Sequence, residues 1–253
     1  RQRQMCIRDS SKTVYFLSTR SESSQIWKVP AGGGAAEQVS DFPVSVSNLA
    51  ISPDGSQLAF SASIDRACTH DLLECEAEKA KGREEDPRTG VGYDRIFVRH
   101  WDHWKGDARS RLLTMKTEGG VVQPVSLNLD ADVPSSPFGG PEEYVFSPDG
   151  KWIVFAARDA EGGAGEPNST NFDLYVSDAE GARPAEKLTE NPAWDTHPVF
   201  SPDGKKLAWT AMARPGFEAD RFRIVVQDFP EGEPKVITEA VSYTHLRAHE
   251  TIV

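Results

Sequence analysis

An all-β fold is predicted, a partial β-propeller of four-stranded antiparallel blades, about three complete and one partial. Three observations predict it. The turn Ser-Pro-Asp-Gly occurs at 52–55, 147–150 and 201–204, and each time a hydrophobic stretch leads in and another leads out. Pro presets φ for the first turn position, Asp can accept from nearby backbone amides, and Gly supplies the left-handed residue that lets the chain reverse into a hairpin. The strand after each turn, at 57–61, 151–157 and 205–210, is short, largely apolar and rich in aromatic and branched residues, which suits burial on both faces. Two more strands follow before the pattern restarts, and the last two turns lie about fifty residues apart, the spacing of a propeller blade.

Taken in order, residues 13–18 read as a second strand, 25–29 as a third and 37–40 as a fourth, so the first unit lacks its leading strand. Complete units start near Val46, Glu142 and Asp195. Third strands are read at 171–178 and 221–228, and a more polar fourth strand at 185–190. Roughly four blades is the low edge of what closes into a ring. An open arc is therefore expected, with edge strands and an apolar flank exposed.

Neither end fits the repeat. Residues 1–10 and 241–253 resemble translated adapter read-through at the ends of reading frames assembled from environmental DNA, and both are set aside as non-native tails around a propeller at 11–240. The formal net charge of −11 becomes about −13 without them. So acidic a chain is a poor partner for nucleic acid or an anionic membrane, and no apolar run is long enough to span a bilayer.

The first two Ser-Pro-Asp-Gly turns lie about forty residues further apart than the last two, and the excess marks an insertion at about 64–107. Its first half is charged and reads as a solvated helix or loop. Cys68 and Cys75 lie in it and could close a disulfide, implying an oxidising compartment, periplasmic or secreted rather than cytoplasmic; two free thiols are the alternative. A metal site from Cys68, His70 and Cys75 lacks a fourth ligand at a recognised spacing, and neither metal nor cofactor is expected. Residues 93–104 gather aromatic, basic and imidazole groups, but Ile96 and Val98 alternate with Phe97 and Arg99 as in a strand, and Trp101 and Trp104 are expected to anchor the excursion against the blade.

Four segments carry a family resemblance: Arg99-His100-Trp101-Asp102-His103-Trp104, Phe138-Gly139-Gly140-Pro141-Glu142-Glu143, Asn191-Pro192-Ala193-Trp194-Asp195-Thr196 and Arg214-Pro215-Gly216-Phe217-Glu218-Ala219-Asp220-Arg221. Together they resemble the N-terminal propeller of prolyl oligopeptidase family serine peptidases, in the branch of acylaminoacyl-peptidases and dipeptidyl-peptidase V enzymes. The repeat alone is less telling, since TolB-like binding propellers share it. The resemblance implies a C-terminal α/β-hydrolase domain carrying a Ser-Asp-His triad, and short peptides as substrates of the intact parent. No Gly-x-Ser-x-Gly elbow occurs in this chain, and promoting His100, His103 or His197 to a catalytic base would be arbitrary, so no catalytic residue is assigned.

A ring over a hydrolase site would pass short or unfolded peptides and exclude folded proteins. An enzyme that removes dipeptides must also hold a free ammonium, for which a carboxylate is the natural partner. Glu142 and Glu143 are the candidates, although neighbours in a regular strand would point to opposite faces and only a loop or bulge would let them act together. Arg214 and Arg221 flank a Pro-Gly turn and are candidates for a substrate carbonyl, with blade-to-blade ion pairing as the structural alternative. A reading from another class is a non-enzymatic TolB-like propeller whose ring face binds a protein partner.

Overall fold

The computed structural model describes residues 5–6, 12–90, 92–93, 99–100, 102–136, 139–158 and 165–239. Along them run β1 (Met5–Cys6), β2 (Thr13–Ser21), β3 (Ser23–Pro30), β4 (Glu37–Gln38), β5 (Ser47–Ile51) and β6 (Gln57–Asp65), then α1 (Leu72–Glu85), β7 (Arg99–His100) and β8 (His103–Trp104). The second half carries β9 (Ala108–Lys116), β10 (Gln123–Pro124), β11 (Tyr144–Phe146), β12 (Trp152–Ala157), β13 (Asp173–Asp178), β14 (Glu186–Lys187), β15 (Asp195–Phe200), β16 (Lys206–Ala211), β17 (Arg223–Asp228) and β18 (Lys235–Val236). They form four antiparallel four-stranded sheets, β1 to β4, β5-β6-β9-β10, β11 to β14 and β15 to β18, and a separate β7–β8 hairpin.

Each Ser-Pro-Asp-Gly turn is built alike. Gly55, Gly150 and Gly204 have φ of 75°, 70° and 71°, a region where a side chain would be strained. Their amides donate to the carbonyls of Ser52, Ser147 and Ser201, each at 2.9 Å. The serines do more than the sequence reading credited. Each hydroxyl donates to the aspartate two residues on at 2.6 Å and accepts the amide five residues on, from Gln57, Trp152 and Lys206. Asp149 and Asp203 are held below the usual carboxylate range chiefly by the serine hydroxyls, and Asp54 is lowered too, its hydrogen bonds from Ser52 and Ser56 outweighing burial.

Three apolar layers join the four sheets. Tyr15, Leu17 and Ile26 pack on Leu58, Phe60 and Leu113; Ala59 and Leu112 on Ile153, Phe155 and Tyr175; Val154, Ala156 and Leu174 on Leu207, Trp209 and Val225. Burial along the second strands follows from this stacking. In β12, covered on both sides, every residue after Trp152 is buried, whereas in β16 burial alternates because one face lies against the preceding blade and Lys206, Ala208 and Thr210 face outward. That outward face includes Val199, which is 58% exposed, so the expected apolar flank is present on the fourth sheet.

The structure differs from the reading at several points. Met5–Cys6 pair with Phe16 and Tyr15, so the first sheet has a short leading strand where none was expected. The fourth strands shrink to two residues each, because outermost strands meet only one neighbour. The insertion runs from Arg66, whose amide donates to the Asp107 carbonyl at 3.1 Å, and its charged half forms α1. Trp104 does not anchor it: the indole is 72% exposed and stacks on Tyr93 with ring centroids 6.3 Å apart. Residues 94–98, Trp101, Phe138 and 241–253 lie outside the described residues.

A disulfide joins Cys68 and Cys75, with Cα atoms 5.8 Å apart, and Cys68 is buried beside Leu72 and Leu73. The oxidised, denatured protein with Cys6 replaced should therefore resist thiol alkylation until reduced. Reduction should cost about 2–3 kcal/mol for a loop this short. Full labelling before reduction would exclude the bond.

Candidate functional site

The Ser-Pro-Asp-Gly turns occupy one edge of the sheets. The long connections from β6 to β9, β12 to β13 and β16 to β17 leave the opposite edge, where the residues before β11 and β15 also enter. All four residues singled out as substrate-binding candidates lie on this second rim.

Glu142 and Glu143 sit on a 3-10 turn, Pro141–Glu143, rather than in a strand. Pro at its start and the extended Gly140 before it set the turn, and β11 begins immediately afterwards. Glu143 is 5% exposed and accepts from the Ser135 amide at 2.6 Å and hydroxyl at 2.7 Å, so its carboxylate ties the incoming loop to the blade. Burial raises its pKa, against the Ser135 hydrogen bonds. Glu142 is exposed. The pair does not converge on one point.

Arg214 and Arg221 lie together on the β16–β17 connection, whose fold is organised by Asp220. Its carboxylate accepts from the Ala213 and Arg214 amides, both at 2.9 Å, and from Arg214 Nε at 3.2 Å. Burial opposes the charge, yet these backbone donors hold its pKa at about 2. The Arg214 guanidinium lies 4.0 Å over the Phe217 ring, and Arg221 Nη2 donates to the Glu239 carbonyl at 2.9 Å. These partners belong to the same blade, so the ion pairing foreseen between blades is found within one. One link to the third blade runs from backbone to side chain, with Gly216 N donating to Thr170 Oγ1 at 2.9 Å.

Between the second and third blades the rim holds a buried ion network that the sequence reading missed. Arg109, 1% exposed on β9, donates from Nη1 to Asp132 Oδ2 at 3.0 Å and from Nη2 to Glu166 Oε2 at 2.8 Å. Lys105, at the end of the insertion, reaches the same two carboxylates at 2.5 and 2.9 Å, and Arg158 joins at 3.1 Å. Although burial works against a charged Glu166, Arg109 and Lys105 hold its pKa at about 2. Beyond Arg158, whose guanidinium lies 5.1 Å over Phe172, an aromatic row continues to the fourth blade through Trp194, stacked on Phe172 at 4.9 Å, and Phe222 at 5.9 Å. The one signal in sequence was a pair of arginines, Arg109 and Arg111, at alternate positions entering an otherwise apolar strand.

This rim is charged and tied together by buried ion pairs, with the exposed Glu142 carboxylate and exposed Arg214 and Phe217 on it. Among the described residues, no group of three His, Cys, Asp or Glu side chains converges to hold a metal ion, and no helix is long and apolar enough to cross a membrane.

No protein-family profile matches the chain. Among curated proteins it is 29% identical to dipeptidyl-peptidase 5 of Porphyromonas gingivalis over 234 residues, which is 92% of this chain and 33% of that protein. It thus spans about a third of the length of the relative it matches. Among solved structures, Pyrococcus horikoshii acylaminoacyl peptidase superposes with a TM-score of 0.57 at 15% identity, covering 94% of this chain and 32% of that one. A TolB structure from Agrobacterium tumefaciens gives 0.50 at 16% identity over 89% and 60%. At such identities the structural likeness shows the fold, and the sequence likeness separates the two kinds of propeller. The fold is a β-propeller, and the sequence likeness to dipeptidyl-peptidase 5 supports a propeller domain of a prolyl oligopeptidase family peptidase.

Proposed function

We propose that the chain is the substrate-gating propeller of a serine exopeptidase that releases dipeptides or acylated amino acids from short peptides, with the nucleophile, base and oxyanion donors on an α/β-hydrolase domain of the parent protein. The observation that carries this reading is the sequence likeness to a dipeptidyl-peptidase over nearly the whole propeller. The rim supports it, because its loops are pinned to one another by buried charge and would present a fixed aperture to an entering peptide. On that rim Glu142 takes the substrate ammonium, and Glu143 positions it by holding the Ser135 loop.

The test compares this chain with the intact parent. The chain should not hydrolyse chromogenic dipeptidyl or acyl-amino-acid substrates, since lowering the acyl-transfer barrier requires all three catalytic elements. The parent should cleave them and be inactivated by a fluorophosphonate. In the parent, Glu142→Gln should lower kcat/KM for dipeptidyl substrates about tenfold or more, the worth of one charge-assisted hydrogen bond, and leave N-acylated substrates nearly unaffected. Glu143→Gln should depress both substrate types alike. Equal losses from Glu142→Gln would assign it to structure, and turnover by this chain alone would overturn the reading.

A further inference from the structure

Blade stacks on blade within this chain by one rule of register. Phe60 with Leu113, Phe155 with Tyr175 and Trp209 with Val225 are cross-strand pairs at equivalent places in the second, third and fourth sheets, and each pair is buried against the sheet before it. The residues that cover them follow a register too. In the third sheet Val145, Val154 and Val176 share one rung, Ala156 pairs with Leu174 two residues along, and this face lies against Trp209 and Val225.

One face of each kind is left over, because the three apolar layers join neighbouring sheets and none, among the described residues, joins the first sheet to the fourth. On the first sheet Phe16 pairs with Trp27 at the place of Trp209 with Val225, for Trp27 meets Gln38 on the outermost strand as Val225 meets Val236. Both rings are half-buried, and the Arg20 guanidinium lies 5.4 Å from the Phe16 centroid and 4.7 Å from that of Trp27. On the fourth sheet Val199, Ala208 and Val226 share a rung and Thr210 pairs with Ile224, the places that Val145, Val154, Val176, Ala156 and Leu174 hold in the third. Val199 is 58% exposed. Ile237, whose amide donates to the Ile224 carbonyl as that of Leu188 donates to Leu174, is 54% exposed.

We propose that the fourth sheet of one copy of this chain stacks on the first sheet of a second copy, with Val199, Val226 and Ile237 meeting Phe16 and Trp27. The fold itself names the occupant: the chain carries both halves of a contact that it makes three times internally, and a second copy continues that contact in the same register. Covering the two faces takes apolar side chains out of water, the same gain that joins the blades within one chain. The contact is head to tail, so the two surfaces that meet are different ones. It is a property of this chain and stands whether or not the parent is an exopeptidase.

Sedimentation velocity tests it, on the chain carrying Cys6→Ser so that no intermolecular disulfide contributes. The protein should run as a dimer or larger species at about 100 μM and as a monomer on dilution. Val199→Glu, which spoils the fourth-sheet face alone, and Phe16→Glu, which spoils the first-sheet face alone, should each weaken association about tenfold or more, because each buries a carboxylate in an apolar contact. An equimolar mixture of the two variants should associate again as a one-to-one pair, since one brings an intact first sheet and the other an intact fourth. A monomer at about 100 μM would overturn the proposal. So would a mixture that stays monomeric, or one variant abolishing association while the other leaves it unchanged, which is how a face pairing with itself behaves. Should either variant lose its fold by circular dichroism, Ile237→Glu and Val14→Glu take their places on the same two faces.

Discussion

Arg109→Met should destabilise the chain by about 3–5 kcal/mol, a large part of the stability of a domain this size. The methionine fills most of the arginine's volume, so the loss is electrostatic rather than a cavity. It leaves Asp132 and Glu166, whose side chains are each 7% exposed, with Lys105 as their main remaining counter-charge. Breaking a buried pair by removing one partner costs far more than the pair itself contributes, because the surviving charge stays out of water. The network also spans two blades, joining β9 to the β12–β13 connection, so its loss should loosen that joint before the Ser-Pro-Asp-Gly hairpins melt. Urea denaturation followed by tryptophan fluorescence measures it. Lys206→Met makes the control, since the Lys206–Asp228 pair is 59% and 68% exposed and should leave the midpoint where it was. A shift under 1 kcal/mol for Arg109→Met would show that the network is solvated in solution.

That network marks where sequence reading reached its limit. The hairpins were legible because each is specified within a few residues: Pro53, Asp54 and Gly55 each have one local job, and the apolar run after them has a single use. The excess of chain between the first two turns was visible as an interruption of a repeat, although the reading left its charged half open between helix and loop. Arg109 and Glu166, by contrast, are 57 residues apart and meet only because two blades stack. In sequence, Glu166 is an ordinary charge in a loop. Glu143 was visible as a residue but not in its role, since the Pro141 turn that separates it from Glu142 becomes clear only with Ser135 beneath it. The two-residue strand at Met5–Cys6 was missed because pairing at a sheet edge needs only backbone, and backbone has no sequence signature. Trp104 misled for the opposite reason: its size argued for burial, but nothing in a repeat specifies what an insertion packs against.

Stability should fall as pH rises from about 4 to 6, and Asp195→Asn should abolish much of that fall. Burial raises the Asp195 pKa from 3.8 to about 6, with Asn191 the first of the hydrogen bonds opposing it. The folded state therefore holds this proton more tightly than the unfolded one. Its stabilising contribution is complete below 3.8 and is lost as pH passes through about 6, for a total of about 3 kcal/mol. Glu166 has the opposite sign: with a folded pKa of about 2 against 4.5, its contribution is present above 4.5 and disappears as pH falls through about 2. Maximum stability is expected between the two windows, near pH 4 to 5. Asp173, also raised by burial, adds to the alkaline arm and remains in the Asp195→Asn variant, so the difference between the two pH profiles isolates Asp195. Urea midpoints at pH 4.5 and pH 7 supply the comparison; an Asn variant that keeps the full slope would show Asp195 to be solvated. At pH 7, above the raised pKa, the substitution should therefore raise stability.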